Sequence, residues 1–191
     1  MTYRPTIAVA VLTTMMATAG CSASNPPAAE SSSPASVLPM PTNTPRITDD
    51  STRPQVGFDP CADLSDGQIR QLGYQPDTRR KTDYPAQDYT FLSCSFKSTD
   101  YLISISSGNI TFDEEVKKES GNATSAPTTI DGRRALTIPH DQACSLAMQT
   151  TYGMVILTRQ TSSFGTKTSA PPCEGIEDTA RMISQFMPKG A

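Results

Sequence analysis

The sequence predicts an α+β fold, with one antiparallel sheet, helices packed on it and two disulfides. Three observations support this prediction. Short runs of alternating apolar and polar residues are joined by tight turns, two Ser/Thr-x-x-Gln/Glu boxes mark helix starts, and four cysteines lie among these elements. Strands joined by tight turns pair in antiparallel fashion, and the accompanying helices cover a face of the sheet.

Residues 1–20 have the organisation of a lipoprotein signal peptide. The apolar run at 7–16 is shorter than the roughly 20 residues that a permanent membrane span needs. Residues 19–21 (Ala-Gly-Cys) resemble the end of a lipobox, although Thr18 stands where lipoproteins usually carry Leu. An ordinary cleaved signal is the alternative. We expect acyl chains such as palmitate on Cys21, which would hold the chain on the outer face of the cytoplasmic cell membrane.

Residues 21–57 combine the lipidated cysteine with a Pro/Ser/Thr-rich segment. Seven of the 16 prolines fall between residues 22 and 55. The few apolar residues there show no period, so their burial could not offset the entropy of ordering the chain. We interpret the segment as a disordered tether for one extracytoplasmic domain at 58–191, with docking of the Pro-rich run on a partner as an alternative.

The domain is predicted to begin with a broken helix over residues 60–72. Asp59 can cap its start, with Pro60 at the first position, where a missing N–H costs nothing. Ser65 opens the second part through a capping box, and Gly73 is a typical helix stop.

Alternation then predicts two strands, 89–96 and 101–106, joined by a turn. The capping box of Thr111 and Glu114 predicts a short helix to about residue 118. We interpret the charged residues of this helix as its solvated face. They are Glu114, Glu115, Lys117, Lys118 and Glu119.

The C-terminal third predicts two hairpins and a helix. Asp131-Gly132 is a strong hairpin signal between strands at 128–130 and 134–138. A second hairpin joins 143–150 to 154–159 around Gly153. The last helix has an acidic first turn after Cys173, and its apolar stripe consists of Ile176, Ala180, Ile183 and Met187.

Once Cys21 is set aside, the four cysteines that remain allow three disulfide pairings. We favour Cys61–Cys94 and Cys144–Cys173, because each would join a helix start to a central strand. A metal site is the alternative, but the chain has one His and no CxxC spacing. No metal and no cofactor are therefore expected.

Several of these features occur together in a known domain family. The lipobox and polar tether precede Phe-Asp-Pro-Cys-Ala-Asp-Leu at 58–64, and Cys-Ser-Phe at 94–96 lies in a strand. This arrangement resembles an uncharacterised domain family of actinobacterial secreted lipoproteins, which includes mycobacterial LprB- and LprC-type proteins. The family usually has Trp after its second Cys, whereas Phe96 lies near that position here. The resemblance covers residues 58–188 and implies a secreted, disulfide-bonded, membrane-anchored domain without implying an activity.

Candidates for chemistry are sparse. His140 lies beside Asp141, and a Ser-His-Asp site would be the least expected interpretation, since no Gly-x-Ser-x-Gly elbow is present. Two basic clusters, 79–81 and 133–134, could bind an anionic glycan or lipid headgroup, but such clusters are more often solvated turns. With a net charge of −3, the chain has no basic excess that would favour nucleic acid.

These observations lead to three functional hypotheses. The first is a non-catalytic interaction or sensing module of the cell envelope, with a protein partner or a lipid or glycan ligand. The second is a carrier for a lipid or another small apolar ligand bound by the sheet. The third is a hydrolase that uses His140.

Overall fold

The computed structural model describes residues 49–162, 170–189 and 191. Within these residues the chain forms four helices and eight strands. In chain order they are α1 (Pro60–Asp63), α2 (Asp66–Gln71), β1 (Gln75–Lys81), β2 (Tyr84–Pro85), β3 (Thr90–Lys97), β4 (Tyr101–Gly108), α3 (Phe112–Glu119), β5 (Ala126–Ile130), β6 (Arg133–Pro139), β7 (Ala143–Gln149), β8 (Met154–Thr161) and α4 (Ile176–Phe186). No helix among the described residues is both long and apolar enough to cross a membrane.

The strands form one antiparallel sheet in the order β1-β3-β4-β8-β7-β6-β5, and β2 also pairs with β3. Its register aligns the apolar residues of the central strands on one face. Ile105 of β4 pairs with Cys94 of β3 on one side and with Leu157 of β8 on the other, and Leu157 pairs with Leu146 of β7. The predicted α+β class is confirmed.

One face of the sheet, which we term the core face, carries the main hydrophobic core and packs with α1, α2 and α4. Its largest fully buried side chains are Phe58, Phe96, Leu64, Ile69, Leu92, Ile103, Ile105, Ile130, Leu146, Met148 and Leu157. The stripe predicted for the last helix is buried here too. Burial of this continuous apolar surface is the main source of the domain's stability.

Both predicted disulfides are present on the core face. Cys61–Cys94 joins α1 to β3, and Cys144–Cys173 joins β7 to the segment that leads into α4. Each closes a loop of about 30 residues, and the chain-entropy model gives roughly 3–4 kcal/mol of stabilisation for such a loop.

The broken N-terminal helix is also confirmed. Asp59 accepts hydrogen bonds from the N–H groups of Cys61 and Ala62, and Ser65 forms the predicted capping box with Gln68. The extended backbone of Leu64 separates the two short helices.

Strand β1 was not predicted, because its sequence Gln-Pro-Asp-Thr-Arg-Arg-Lys lacks apolar alternation. It pairs with β3 alone, as an edge strand, where Pro and charged residues are tolerated. Arg79 fixes it in place by donating to the carbonyls of Cys61 and Leu64 and by pairing with Asp66.

Residues 49–57, which we term the strap, belong to the packed domain and not to the tether assigned to 21–57. Val56 is buried in the main core. At the other end of the strap, the Asp49 carboxylate accepts hydrogen bonds from Thr90 (2.9 Å) and Asn109 (2.7 Å). The domain therefore begins before residue 58, whereas the predicted signal peptide, Cys21 and the tether up to residue 48 lie outside the described residues.

Candidate functional site

The opposite face of the sheet, termed the groove face, is covered only in part. Helix α3 lies over one half and buries a second, smaller cluster that consists of Phe112, Leu136, Ile138, Ala147 and Met154. Beside α3 an open groove of about 700 Å³ remains. Its lining residues are Thr82, Tyr84, Tyr89, Phe91, Ser93, Ser104, Ser106, Ile110, Glu114, Glu115, Lys118, Ile156 and Thr158.

The floor of the groove is made of hydroxyl groups from three neighbouring strands. Ser93 of β3 lies opposite Ser106 of β4, and its hydroxyl donates to Ser106 Oγ at 2.9 Å. Ser104 of β4 lies opposite Thr158 of β8. These four residues, termed the hydroxyl floor, alternate along their strands with core residues, so the alternation that builds the core also places hydroxyls on this face.

One wall of the groove is aromatic. The rings of Tyr84 and Tyr89 are stacked with centroids 6.2 Å apart, and Tyr89 meets Phe91 edge-to-face at 5.9 Å. Tyr84 is 60% exposed, which is unusual for so large a ring in this domain. Phe91 lies across Gly108, where a Cβ atom would overlap its ring. We term Tyr84, Tyr89 and Phe91 the aromatic wall.

The other wall is helix α3, and there the sequence-based prediction of a solvated face is wrong for Glu115 and holds only in part for Glu119, whose side chain is 15% exposed. Glu115 is 6% exposed because its side chain turns into the groove. Lys118 Nζ donates to both carboxylate oxygens, at 3.0 and 3.2 Å. Partial burial opposes the charged form of Lys118, but this hydrogen bonding and the neighbouring charges outweigh it and raise the pKa of its ammonium.

The strap contacts the α3 wall of the groove through Arg53. Its guanidinium donates to both oxygens of Glu114, each at 2.8 Å. These bonds, together with those from Thr111, hold the pKa of Glu114 well below its usual range. A bidentate pair of this kind fixes direction as well as distance, so the strap has a defined position against α3.

His140 lies next to the hydroxyls of the groove face. Its Nε2 is 3.4 Å from Ser145 Oγ, which is 3.0 Å from Thr158 Oγ1. Along the described part of the chain, no carboxylate forms a hydrogen bond with His140. Asp141 follows it in sequence but is not positioned by the structure as the third member of a triad.

The basic clusters are largely engaged within the domain. Arg133 donates to the carbonyls of Gln149 and Ala191, and Arg134 pairs with Asp113 and lies over the Phe112 ring. Arg79 donates to the carbonyls of Cys61 and Leu64 and pairs with Asp66. Arg80 and Lys81 are exposed.

No group of three or more His, Cys, Asp or Glu side chains that could hold a metal ion occurs in 49–162, 170–189 and 191. The four cysteines of the domain are held in disulfides. The fifth, Cys21, lies outside the described residues.

The groove was not predicted from the sequence. The sequence does contain a pattern that indicates the groove. The residues that alternate with core residues in β3, β4 and β8 include several Ser and Thr, whereas a solvated face typically carries charged residues. The packing of α3 on that face and the attachment of the strap to α3 depend on contacts between residues that are distant in sequence, such as Arg53 and Glu114.

Residues 16–185 match the family described as "Protein of unknown function (DUF3558)". No curated protein and no solved structure is significantly similar to the chain.

Proposed function

The chain belongs to the DUF3558 family of proteins of unknown function, and on that premise we propose that it is a lipid-anchored, non-catalytic binding module of the cell envelope. Cys21 carries the lipid and holds the domain at the outer face of the cytoplasmic membrane. The groove face binds the ligand. The resemblance to actinobacterial secreted lipoproteins supports the same proposal.

Cysteine chemistry supports the anchor. Four of the five cysteines form two disulfides, which are typical of chains that fold in an oxidising compartment outside the cytoplasm. Cys21, the one that remains, follows an apolar run and small residues, which is where a lipid anchor is attached. The strap follows the tether in sequence, and its Arg53 pairs with Glu114 in the wall of the groove.

The groove is the observation on which the binding role rests. Its volume of about 700 Å³ lies in the range of ligand pockets. It combines an aromatic wall with several hydrogen-bonding side chains, which is the composition of sites that orient a ligand. Because Ser93 and Ser106 are held by their strands, the floor is preformed.

A second candidate is the carrier of a lipid or another small apolar ligand. It is favoured by the apolar side chains that reach the groove, Phe91, Ile110 and Ile156. In that case the aromatic wall would contact an acyl chain. The chain would cover the hydroxyl floor without forming hydrogen bonds to it.

The anchor is tested by fractionation of cells that express the full chain. We expect Cys21→Ala to move the protein from the membrane fraction to the soluble fraction. Thr18→Leu, which restores the usual lipobox residue, is the matched control and should leave it in the membrane. An unchanged distribution of Cys21→Ala would reject the anchor.

The binding role is tested by photocrosslinking in the envelope. The photoreactive residue p-benzoylphenylalanine replaces Tyr84 in the groove or, as a control, the exposed Thr99 in the turn between β3 and β4. Mass spectrometry of the purified chain should reveal an adduct of defined mass at position 84 and none at position 99. Identical adducts at the two positions, or none at either, would contradict a ligand site in the groove.

A further inference from the structure

The groove has a chemical character that narrows its ligand. From its hydroxyls, rings and charges we infer that it binds a neutral oligosaccharide, an inference that rests on the proposed function of the groove as a ligand site. Sugars present both C–H faces and ring hydroxyls, and the groove has a complement for each of them.

The hydroxyl floor matches the hydroxyls of a sugar. Ser and Thr hydroxyls both donate and accept hydrogen bonds, as sugar hydroxyls do. The floor extends over β3, β4 and β8, a width of roughly 10 Å at the usual strand spacing. That is the length of a short oligosaccharide and exceeds a single ring.

The aromatic wall matches the C–H face of a sugar ring. Such a face packs flat on an aromatic ring, because the ring's negative π-face attracts the slightly positive C–H hydrogens. Tyr84 offers a ring that is 60% exposed, and Tyr89 stacks against it with ring centroids 6.2 Å apart.

The charges of the groove favour a neutral ligand. Its three charged lining residues are each paired within the chain: Glu115 with Lys118, and Glu114 with Arg53 of the strap. No unpaired cation is left among these lining residues for a phosphate, sulfate or carboxylate. An anionic ligand would also meet the two carboxylates.

An acyl chain fits the same surface less well. It would cover the hydroxyls of Ser104, Ser106 and Thr158 without offering them any hydrogen-bond partner, and burial of polar groups without such partners is unfavourable. The oligosaccharide uses both the floor and the wall, whereas the acyl chain uses the wall alone.

The inference is tested on the full chain, purified in a detergent that has no sugar headgroup. Neutral trisaccharides of hexoses, N-acetylhexosamines and pentoses are titrated up to 10 mM, and binding is followed by NMR shifts of the groove residues. A sulfated trisaccharide and a medium-chain fatty acid are titrated in parallel. We expect saturable binding of at least one neutral trisaccharide and of neither other probe.

Three substitutions of Tyr84 separate stacking from simple apolar contact. Tyr84→Phe keeps the aromatic face and should keep the affinity within about threefold. Tyr84→Leu and Tyr84→Ala remove that face, and each should weaken binding tenfold or more. The matched control Thr99→Ala, outside the groove, should bind like the unmodified chain.

The alternative outcomes separate the two proposals. Saturable binding of the fatty acid in the groove, with affinity kept in Tyr84→Leu, would overturn the saccharide inference and leave the groove as a ligand site. Binding of the sulfated probe in preference to its neutral counterpart would also overturn it. If no neutral trisaccharide shifts the groove residues, the inference fails. If in addition no adduct forms at position 84 in the envelope, the binding role fails with it.

Discussion

The two faces of the sheet are built from the same strands and yet differ in composition and in cover. The core face is apolar and is covered by three helices, and both disulfides join its strands to the segments that cover it. The groove face carries Ser and Thr in its open part and, within the described residues, is covered in part by α3, with which Arg53 of the strap is paired. The core face supplies most of the stability of the fold. The residues of the groove face can therefore differ without loss of the fold, and they are available to bind a ligand.

This division explains why the covering elements are held so differently. Helices α1, α2 and α4 are held by buried apolar area and covalent bonds. The strap is joined to α3 by the Arg53–Glu114 pair, and to Thr90 of β3 and Asn109 by the hydrogen bonds of Asp49. The first kind of contact depends little on salt, and its stability changes with pH only where buried tyrosines ionise, whereas the second kind depends on salt and on acid pH.

The largest expected difference between the faces comes from two neighbouring residues of β8. Leu157 is fully buried on the core face, and Ile156 is half-buried on the groove face. Leu157→Ala should lower the free energy of unfolding by about 2–5 kcal/mol, because it removes buried methyl groups and leaves a cavity. Ile156→Ala should cost about 1 kcal/mol. Urea denaturation of both variants measures the difference, and equal losses would contradict the division.

Alkaline pH should act on the core face. Burial raises the pKa of Tyr74 and of Tyr152 to about 12, compared with about 10 in an unfolded chain. Because the neutral form is favoured in the fold, their contribution to stability is complete below pH 10 and is lost between pH 10 and 12. The loss should be about 1.4 kcal/mol per tyrosine at pH 11.

The measurement is urea denaturation at pH 8 and pH 11. In Tyr152→Phe, roughly half of the tyrosine-dependent alkaline loss should disappear, although this variant also loses the hydrogen bond to Ser107 at all pH values. If the alkaline loss is the same in Tyr152→Phe and in the unmodified chain, burial of this phenol does not control the response.

The core face was largely predictable from the sequence, and the groove face was not. Ile103 and Ile105, the Asp131-Gly132 turn and the two capping boxes are local signals, whose meaning depends on a few neighbouring residues. The disulfide pairing followed from these elements, because each pair joins a helix start to a central strand.

The groove depends on information that local patterns lack. The sequence places Glu115 among the charged residues of a solvated helix face. It is buried because α3 lies across the sheet. The residues of the strap were assigned to the tether because they continue a Pro/Ser/Thr-rich segment whose few apolar residues show no period. The partners of Asp49 and Arg53, which are Asn109 and Glu114, are about 60 residues away. Strand β1 was missed because pairing with β3, and not its own composition, makes it a strand.

The shape of the groove can be changed at Gly108. A Cβ atom there would overlap the Phe91 ring, so Gly108→Ala should displace this ring from the aromatic wall. The overpacking should cost about 1–3 kcal/mol of unfolding free energy. In the Phe91→Ala background, Gly108→Ala should lower the free energy of unfolding much less, because the ring that the new Cβ atom would overlap is absent. A double-mutant cycle by urea denaturation measures this coupling, and additive effects would show that the two residues do not constrain each other.

The smallest effect concerns the strap, whose attachment should weaken in acid. The pKa of Glu114 is lowered in the fold by Arg53 and Thr111, compared with about 4.3 in an unfolded chain. Its contribution to stability is therefore present above that value and is lost as the pH falls below it towards the folded pKa. Because the Glu114 side chain is 45% exposed, solvent screening limits this contribution to about 0.5–1 kcal/mol.

Glu114→Gln should lower the free energy of unfolding at pH 7 by this amount, and its stability should fall less in acid, as measured by urea denaturation. The exposed control Glu174→Gln should behave like the unmodified chain. An acid response that is identical in all three proteins would mean that apolar contacts such as Val56 hold the strap, and the groove face would then be stabilised in the same way as the core face.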